Sequence, residues 1–282
     1  MLVAFLSIES RAAEPVVPLS MFRNPIISVC AACAFVLGMG MSGVIIYLPL
    51  FMQGVLGVSA TQSGNLLTPL MMGAVLGSFV SGQAVSRTGK YKSVAVMGSV
   101  LVAAGMVLFA RMDPTTARSY VAFGMVVAGL GMGLVQPVYT VAVQNVAPRR
   151  QMGAATSSTI FFRSIGSTVG VAAFGSIMLT QYHRDFARAV PAHVPGSLLT
   201  YFSNPLLLVQ MRPQIEANLA NTPNGPAVLQ ALFTAVRSSL THGLELIFFW
   251  SAVIMTVAVL LHLLLRSEPL RTQMVEPDAP ML

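Results

Sequence analysis

The stretch IISVCAACAFVLGMGMSGVIIYLPLFM, residues 26–52, carries no charged side chain. As a helix it exceeds the ~20 residues needed to cross a hydrocarbon core of roughly 30 Å. The same apolar pattern returns at 62–83, 93–111, 119–146, 153–180 and 243–265. Six such runs predict an all-α, polytopic membrane protein with six transmembrane helices. They are long and continuous, whereas a transmembrane barrel would alternate over short strands. Several exceed the minimum length, which implies tilt or bending. Pro49, Pro69 and Pro137 fall inside the predicted spans and are the expected kink sites, since neighbouring helices can re-satisfy the freed backbone.

Composition agrees. Of 282 residues, 55% are hydrophobic and 9% charged, and mean hydropathy is +0.75. A soluble domain carries about 25% charged residues. A soluble enzyme, a disordered chain and a disulfide-stapled secreted domain are therefore excluded. Net charge is +7 and the isoelectric point is near 10.0. No basic run exceeds two residues, so a nucleic-acid partner has no support; the cations belong in cytoplasmic loops. Cys30 and Cys33 spell CxxC inside an apolar span, where small-residue packing rather than redox chemistry is expected. His183, His193, His242 and His262 show no metal-ligand spacing and are expected in loops or at helix ends. There is no P-loop, nucleophile elbow or zinc motif, so no enzyme, cofactor or metal is expected.

Lys and Arg in short loops set the orientation. With the N-terminus inside, the inner side holds nine: Arg11, Arg23, Arg87, Lys90, Lys92, Arg149, Arg150, Arg266 and Arg271. The short outer loops hold two, Arg111 and Arg118. Both termini are thus predicted to be cytoplasmic, in a cell membrane. Leu2–Ile8 is an apolar stub too short to span, and 9–25 reads as a polar linker with three prolines. The outer loop 181–242 is long and proline-rich. Leu229, Leu232, Phe233, Val236 and Leu240 recur at helical spacing there and predict an interfacial helix, with a lid over a cavity as the alternative. Residues 1–25, 26–265 and 266–282 form the stub and linker, the membrane domain and a cytoplasmic tail.

Gly82-Gln83-Ala84-Val85-Ser86-Arg87-Thr88-Gly89-Lys90-Tyr91-Lys92 resembles the signature loop between the second and third helices of a major facilitator superfamily half. Gly82, Arg87, Gly89 and Lys90 match the pattern; Ser86 replaces its Asp. The glycines suit a tight turn and close helix approach. The cations suit a helix end facing an anionic leaflet. Tyr47-Leu48-Pro49-Leu50-Phe51-Met52-Gln53 with Val55–Ser59 and Gly64–Pro69, Gln144–Pro148 with Gly153–Ala155, and Phe162–Gly166 with Gly170 look like core segments of fourteen-helix EmrB/QacA-type drug:proton antiporters. The resemblance covers nearly the whole chain, but only that family's C-terminal half. It implies six helices in two inverted repeats and secondary, proton-coupled export of hydrophobic or cationic small molecules. It also implies a partner in a separate N-terminal half, which carries the family's acidic proton carrier. The alternatives are a truncated, non-transporting membrane fragment or an interaction partner of another membrane protein.

Arg163 is the sharpest single residue. A mid-membrane Arg costs roughly 2.5–3.5 kcal/mol on insertion scales, so it should face the bundle interior or a wet cavity. Thr156, Thr159, Arg163, Ser167 and Gly170 share one side of the fifth helix. The acidic residue closest to any span is Glu245, near the end of the sixth. Arg163 then serves an acid in the other half or a substrate, or is satisfied by carbonyls and water. On the fourth helix, Gly129, Gly133, Gln136, Pro137, Thr140 and Gln144 form a stripe beside Tyr139, as cavity lining or as helix–helix glue. On the first, Gly40, Gly43, Tyr47 and Gly54 share a face with Gln53 nearby. Tyr47 is either a substrate contact or an interfacial anchor. Asn65 and Gln83 mark the ends of the second span. Gly73–Gly77 and Gly166–Gly170 are GxxxG spacings and predict close packing.

Overall fold

The computed structural model describes residues 19–59, 64, 67–190, 225–266 and 268–269. The stub 2–8, most of the linker 9–25, Asn65, His193, the loop 191–224 and the tail beyond Pro269 lie outside the described residues. The described chain is all-helical. Its long helices are α1 (Pro25–Gly54), α2 (Thr68–Thr88), α3 (Tyr91–Ala110), α4 (Arg118–Val146), α5 (Met152–Ala189) and α6 (Gly225–Leu264). All six are long and apolar enough to cross a membrane. A turn of 3-10 helix, Leu19–Arg23, precedes α1. The end of the predicted linker is thus folded, with Met21 buried. Phe22 sits edge-on to Phe162 of α5 at 5.5 Å.

Local chemistry explains the ends. Asn24 caps α1 by accepting the Ile26 N–H at 2.9 Å, and Pro25 occupies the first helical position, where no N–H is needed. Pro69 likewise lies in the first turn of α2. It starts that helix rather than kinking it, because the lost N–H there has no partner to lose. Pro49 and Pro137 do lie inside α1 and α4. α2 ends at Gly89, whose φ of +67° suits a residue without a Cβ.

α5 and α6 run further than their apolar spans. Residues 181–189 continue α5 because Met178, Tyr182 and Phe186 repeat every four residues and are all buried. Residues 225–242 form the first turns of α6, with Leu232, Val236 and Leu240 buried in the bundle. The expected interfacial helix is therefore part of a span-crossing helix packed on protein. The expected loop 181–242 shortens correspondingly.

The helices pair in an exchanged pattern. α2 packs mainly on α4, α1 on α5, α3 on α4 and α6, and α6 on α1. Advancing every helix by three positions, cyclically, returns almost the same set of neighbours. α2–α4 becomes α5–α1, and α3–α4 becomes α6–α1. The exceptions are the α5–α6 contact, far more extensive than its α2–α3 counterpart, and the α4–α5 contact, which has no comparable α1–α2 counterpart.

Glycines carry both exchanged crossings. A methyl group on Gly73 or Gly77 would overlap the backbone of α4 at Val126 or Leu130. One on Gly129 or Gly133 would overlap α2 at Leu70 or Ala74. Gly166 and Gly170 face Phe35 and Met39 of α1 in the same way, and Gly38 faces the Arg163 carbonyl. Both GxxxG spacings are close-packing devices, as expected. Hydroxyls add bonds across the crossings. Ser81 Oγ donates to the Leu134 carbonyl at 2.8 Å, and the Tyr47 hydroxyl donates to the Val171 carbonyl at 2.9 Å.

Candidate functional site

Where α4 meets α5, a cavity of about 140 Å³ opens against α1. Ala34 of α1 lines it, with Gln136, Tyr139 and Thr140 of α4 and Thr156, Thr159, Ile160 and Arg163 of α5. Its walls come from the C-terminal half of α4 and the N-terminal half of α5, so it lies toward the end of the bundle that carries the Gly89 turn.

Three sequence-predicted residues meet here: Arg163, Gln136 and Thr140. Gln144 lies one turn beyond and donates from Nε2 to Thr156 Oγ1 at 3.2 Å. Thr156 and Thr159 also donate to carbonyls of their own helix, Met152 and Ala155, so these hydroxyls are satisfied in an apolar setting. Arg163 is half-buried. Its backbone abuts Gly38 of α1, and its side-chain stem passes over the same glycine. Among the described residues no hydrogen bond or ion pair engages its guanidinium. Five N–H donors therefore point into or beside a wettable space.

The fourth-helix stripe divides its duties. Gly129 and Gly133 are glue against α2, while Gln136 and Thr140 line the cavity. Tyr47 and Gln53 lie apart from it. Tyr47 is buried and bonded to α5, which gives it an interhelical geometry rather than that of a membrane-surface anchor. Gln53 sits in the last turn of α1.

The signature loop forms a clasp. Gly89 makes the turn. The Thr88 hydroxyl donates to the Ala84 carbonyl and accepts the Lys90 N–H. Ser86, standing where the family has Asp, donates to the Gln83 carbonyl at 3.0 Å. Arg87 and Lys90 are exposed. Gly82 has open space around it, so within the described residues it supports no close helix approach. Lys92 Nζ donates to the Leu263 carbonyl at 2.8 Å, and the Tyr91 hydroxyl donates to the Arg266 carbonyl at 2.9 Å. The start of α3 is thereby bound to the end of α6.

Sequence reasoning missed His262. It lies near the end of α6 but is fully buried. Its Nε2 is 3.0 Å from the Tyr139 hydroxyl, its Nδ1 is 2.6 Å from the Ala258 carbonyl, and the two rings stack at 5.7 Å. The available signal was a single histidine in Val259-Leu260-Leu261-His262-Leu263-Leu264-Leu265, because a polar side chain in such a run needs an internal partner. His183 and His242 also lie within helices rather than in loops. His242 Nδ1 is 3.3 Å from Asp185 Oδ2, and Gln181 donates to the same oxygen at 2.9 Å.

The Major Facilitator Superfamily profile matches residues 5–171. The multidrug transporter protein MdtP of Bacillus subtilis is 30% identical over 98% of this chain and 52% of its own length. A tetracycline resistance determinant of Streptomyces rimosus is 34% identical over 63% of this chain and 51% of its own. The chain thus spans about half the length of these relatives. Among solved structures, a bacterial homologue of the human lysosomal transporter Spinster, inward-facing and unoccupied, superposes with a TM-score of 0.56. That match covers 92% of this chain and 53% of the other at 17% identity. The shared helical architecture, the profile match over more than half the sequence and the relative aligned along nearly all of it agree: the chain belongs to the Major Facilitator Superfamily.

Proposed function

We propose that this chain supplies the C-terminal wall of a proton-coupled exporter of hydrophobic or cationic small molecules, of the fourteen-helix EmrB/QacA type. Arg163 in the α1–α4–α5 cavity carries this reading. A cation without a partner among the described residues, set between Gln136 and Thr140, provides an electrostatic and hydrogen-bonding surface at membrane depth. The cavity is smaller than the ~300–1,000 Å³ of a drug-sized pocket. A substrate therefore needs a second wall, and a second six-helix body facing this one would provide it. Alternating access then rocks one body against the other around a fixed site. The names of MdtP and of the tetracycline resistance determinant favour drug-like cargo. The excess of Lys and Arg at the Gly89 end favours a cytoplasmic location for that end and for both termini.

The test is dye efflux from vesicles by the assembled transporter under an imposed proton gradient. Arg163→Ala should abolish efflux while insertion and thermal stability persist. Insertion should improve, since removing a mid-membrane charge relieves roughly 2.5–3.5 kcal/mol. Arg163→Lys should retain part of the activity, because an ammonium lacks the planar five-donor fork. Full efflux by a well-expressed Arg163→Ala protein would refute the assignment. Parallel loss of folding and efflux would make Arg163 a helix cross-link instead.

A further inference from the structure

We propose that His262 is a protonation site wired to the cavity through Tyr139, and that its charge sets whether the cavity wall offers an acceptor or a donor there. The proposal rests on reading the cavity as part of a substrate path. A carbonyl only accepts, so the 2.6 Å contact to Ala258 places a hydrogen on Nδ1. In the neutral ring Nε2 is then an acceptor, and the Tyr139 hydroxyl donates to it. Tyr139 lines the cavity; with its hydrogen turned to Nε2, its phenol oxygen can offer that space only lone pairs.

Protonation reverses this. Tyr139 passes its hydroxyl proton to Nε2 and takes one from a hydronium ion in the cavity, which becomes water, so the net change is one proton gained by the imidazole. Nε2–H now donates to the phenol oxygen. The Tyr139 hydroxyl hydrogen must turn toward the cavity, and a positive charge stands behind it. Histidine is the side chain whose ordinary titration falls between about pH 5 and 8. The titratable and charged groups around the pair are few. Cys30 and Cys33 of α1 and Arg163 of α5 are close enough to interact electrostatically with Tyr139. From α3, Tyr91 and Lys92 reach α6 at the carbonyls of Arg266 and Leu263, and Glu268 follows there with its N–H on the Tyr91 oxygen. Among the described residues no carboxylate bonds to His262, so its proton is not shared with an acid.

The experiment takes the full chain in lipid nanodiscs with 15N-histidine and 13Cζ-tyrosine labels, followed by NMR from pH 8 to 5. His262 should pass from the Nδ1–H tautomer to the doubly protonated ring. The Tyr139 Cζ signal should move with the same midpoint and become flat in His262→Gln. A His262 that keeps one tautomer throughout, or a Tyr139 signal indifferent to it, overturns the proposal. Ethidium, offered to the assembled transporter, is the cavity probe. Its Kd should rise about tenfold from pH 8 to 5, the size of one reversed hydrogen bond, and change less than about twofold in Tyr139→Phe and His262→Gln. Persistence of the full pH dependence in both variants overturns the proposal. Coupled NMR titrations with no ethidium binding by the assembled transporter at any pH would uphold the switch and refute the substrate-path reading of the cavity.

Discussion

α2 and α5 do the same job inside the bundle but differ in their outer faces. Each crosses its partner through a GxxxG pair pressed onto backbone. Outwardly, α2 presents Met71, Met72, Val75, Leu76, Phe79 and Val80. α5 exposes Ile160, Phe161, Val169 and Leu179, but interleaves them with the small side chains Ser157, Ser164, Thr168, Ala172, Ser176 and Thr180. Ser164 and Thr168 donate to carbonyls one turn back on their own helix, which makes a polar strip tolerable in an apolar medium. Inner packing and outer chemistry are therefore set independently on equivalent helices. Large apolar side chains suit lipid, and short hydroxylated ones suit protein or water.

The hardest blow to the shared feature is a bulky residue at either crossing. Gly77→Leu and Gly170→Leu should each destabilise the bundle by about 3 kcal/mol, because backbone stands in the way at both, joined by the Ser42 hydroxyl at Gly170. Thermal unfolding in detergent should show similar losses. A large loss at one crossing and none at the other would end the equivalence.

The outer difference is tested with one charge on each face. Phe79→Asp at the middle of α2 should cost about 3–4 kcal/mol in a membrane-insertion assay. Thr168→Asp on α5 should cost clearly less within the assembled transporter, since its strip suits a protein or aqueous neighbour. Equal costs would mean that both faces meet lipid.

A finer test uses two of the cross-helix hydroxyls. Tyr47→Phe removes an α1–α5 bond and Ser81→Ala an α2–α4 bond; each should cost about 1 kcal/mol in stability. Retained efflux in Tyr47→Phe would confine that residue to structure.

The smallest effect belongs to the turn joining the two helix trios. Asp113 accepts the Thr115 hydroxyl at 2.6 Å and its N–H at 2.7 Å, and the Thr116 hydroxyl at 3.2 Å. These bonds, the Thr115 hydroxyl foremost, hold its carboxyl below the ordinary carboxylate range. A depressed folded value gives stability that is present above the unfolded value and lost as pH falls through the folded one. Asp113→Ala should lower Tm slightly at neutral pH, with the two proteins converging in acid.

Hydropathy made the helix number and most inner boundaries legible, because lipid exposure is what it measures. It underestimated α5 and α6 because Tyr182, Phe186, Leu232 and Leu240 are held by packing at helical spacing, not by an unbroken apolar run. Pro69 misled because a proline's effect depends on its turn within the helix. At the site, Arg163, Gln136 and Thr140 were legible as expensive polar groups at membrane depth. His262 was not, because its partner lies 123 residues away on another helix and no local pattern encodes that distance.

The exchanged pairing also constrains how the chain is made. α1 meets its main partner at Gly166, about 130 residues after Gly38; at the ~5–20 residues per second of synthesis, that partner emerges roughly 6–25 s later. Through that interval the glycine-lined groove of α1 lies uncovered in the bilayer, and α2 waits likewise for α4. The α3–α4 and α5–α6 hairpins can pack as they emerge, but α1 and α2 cannot. The first two helices need shelter until later ones arrive, and a ribosome stalled before α5 leaves behind a half-zipped bundle that quality-control proteases can recognise.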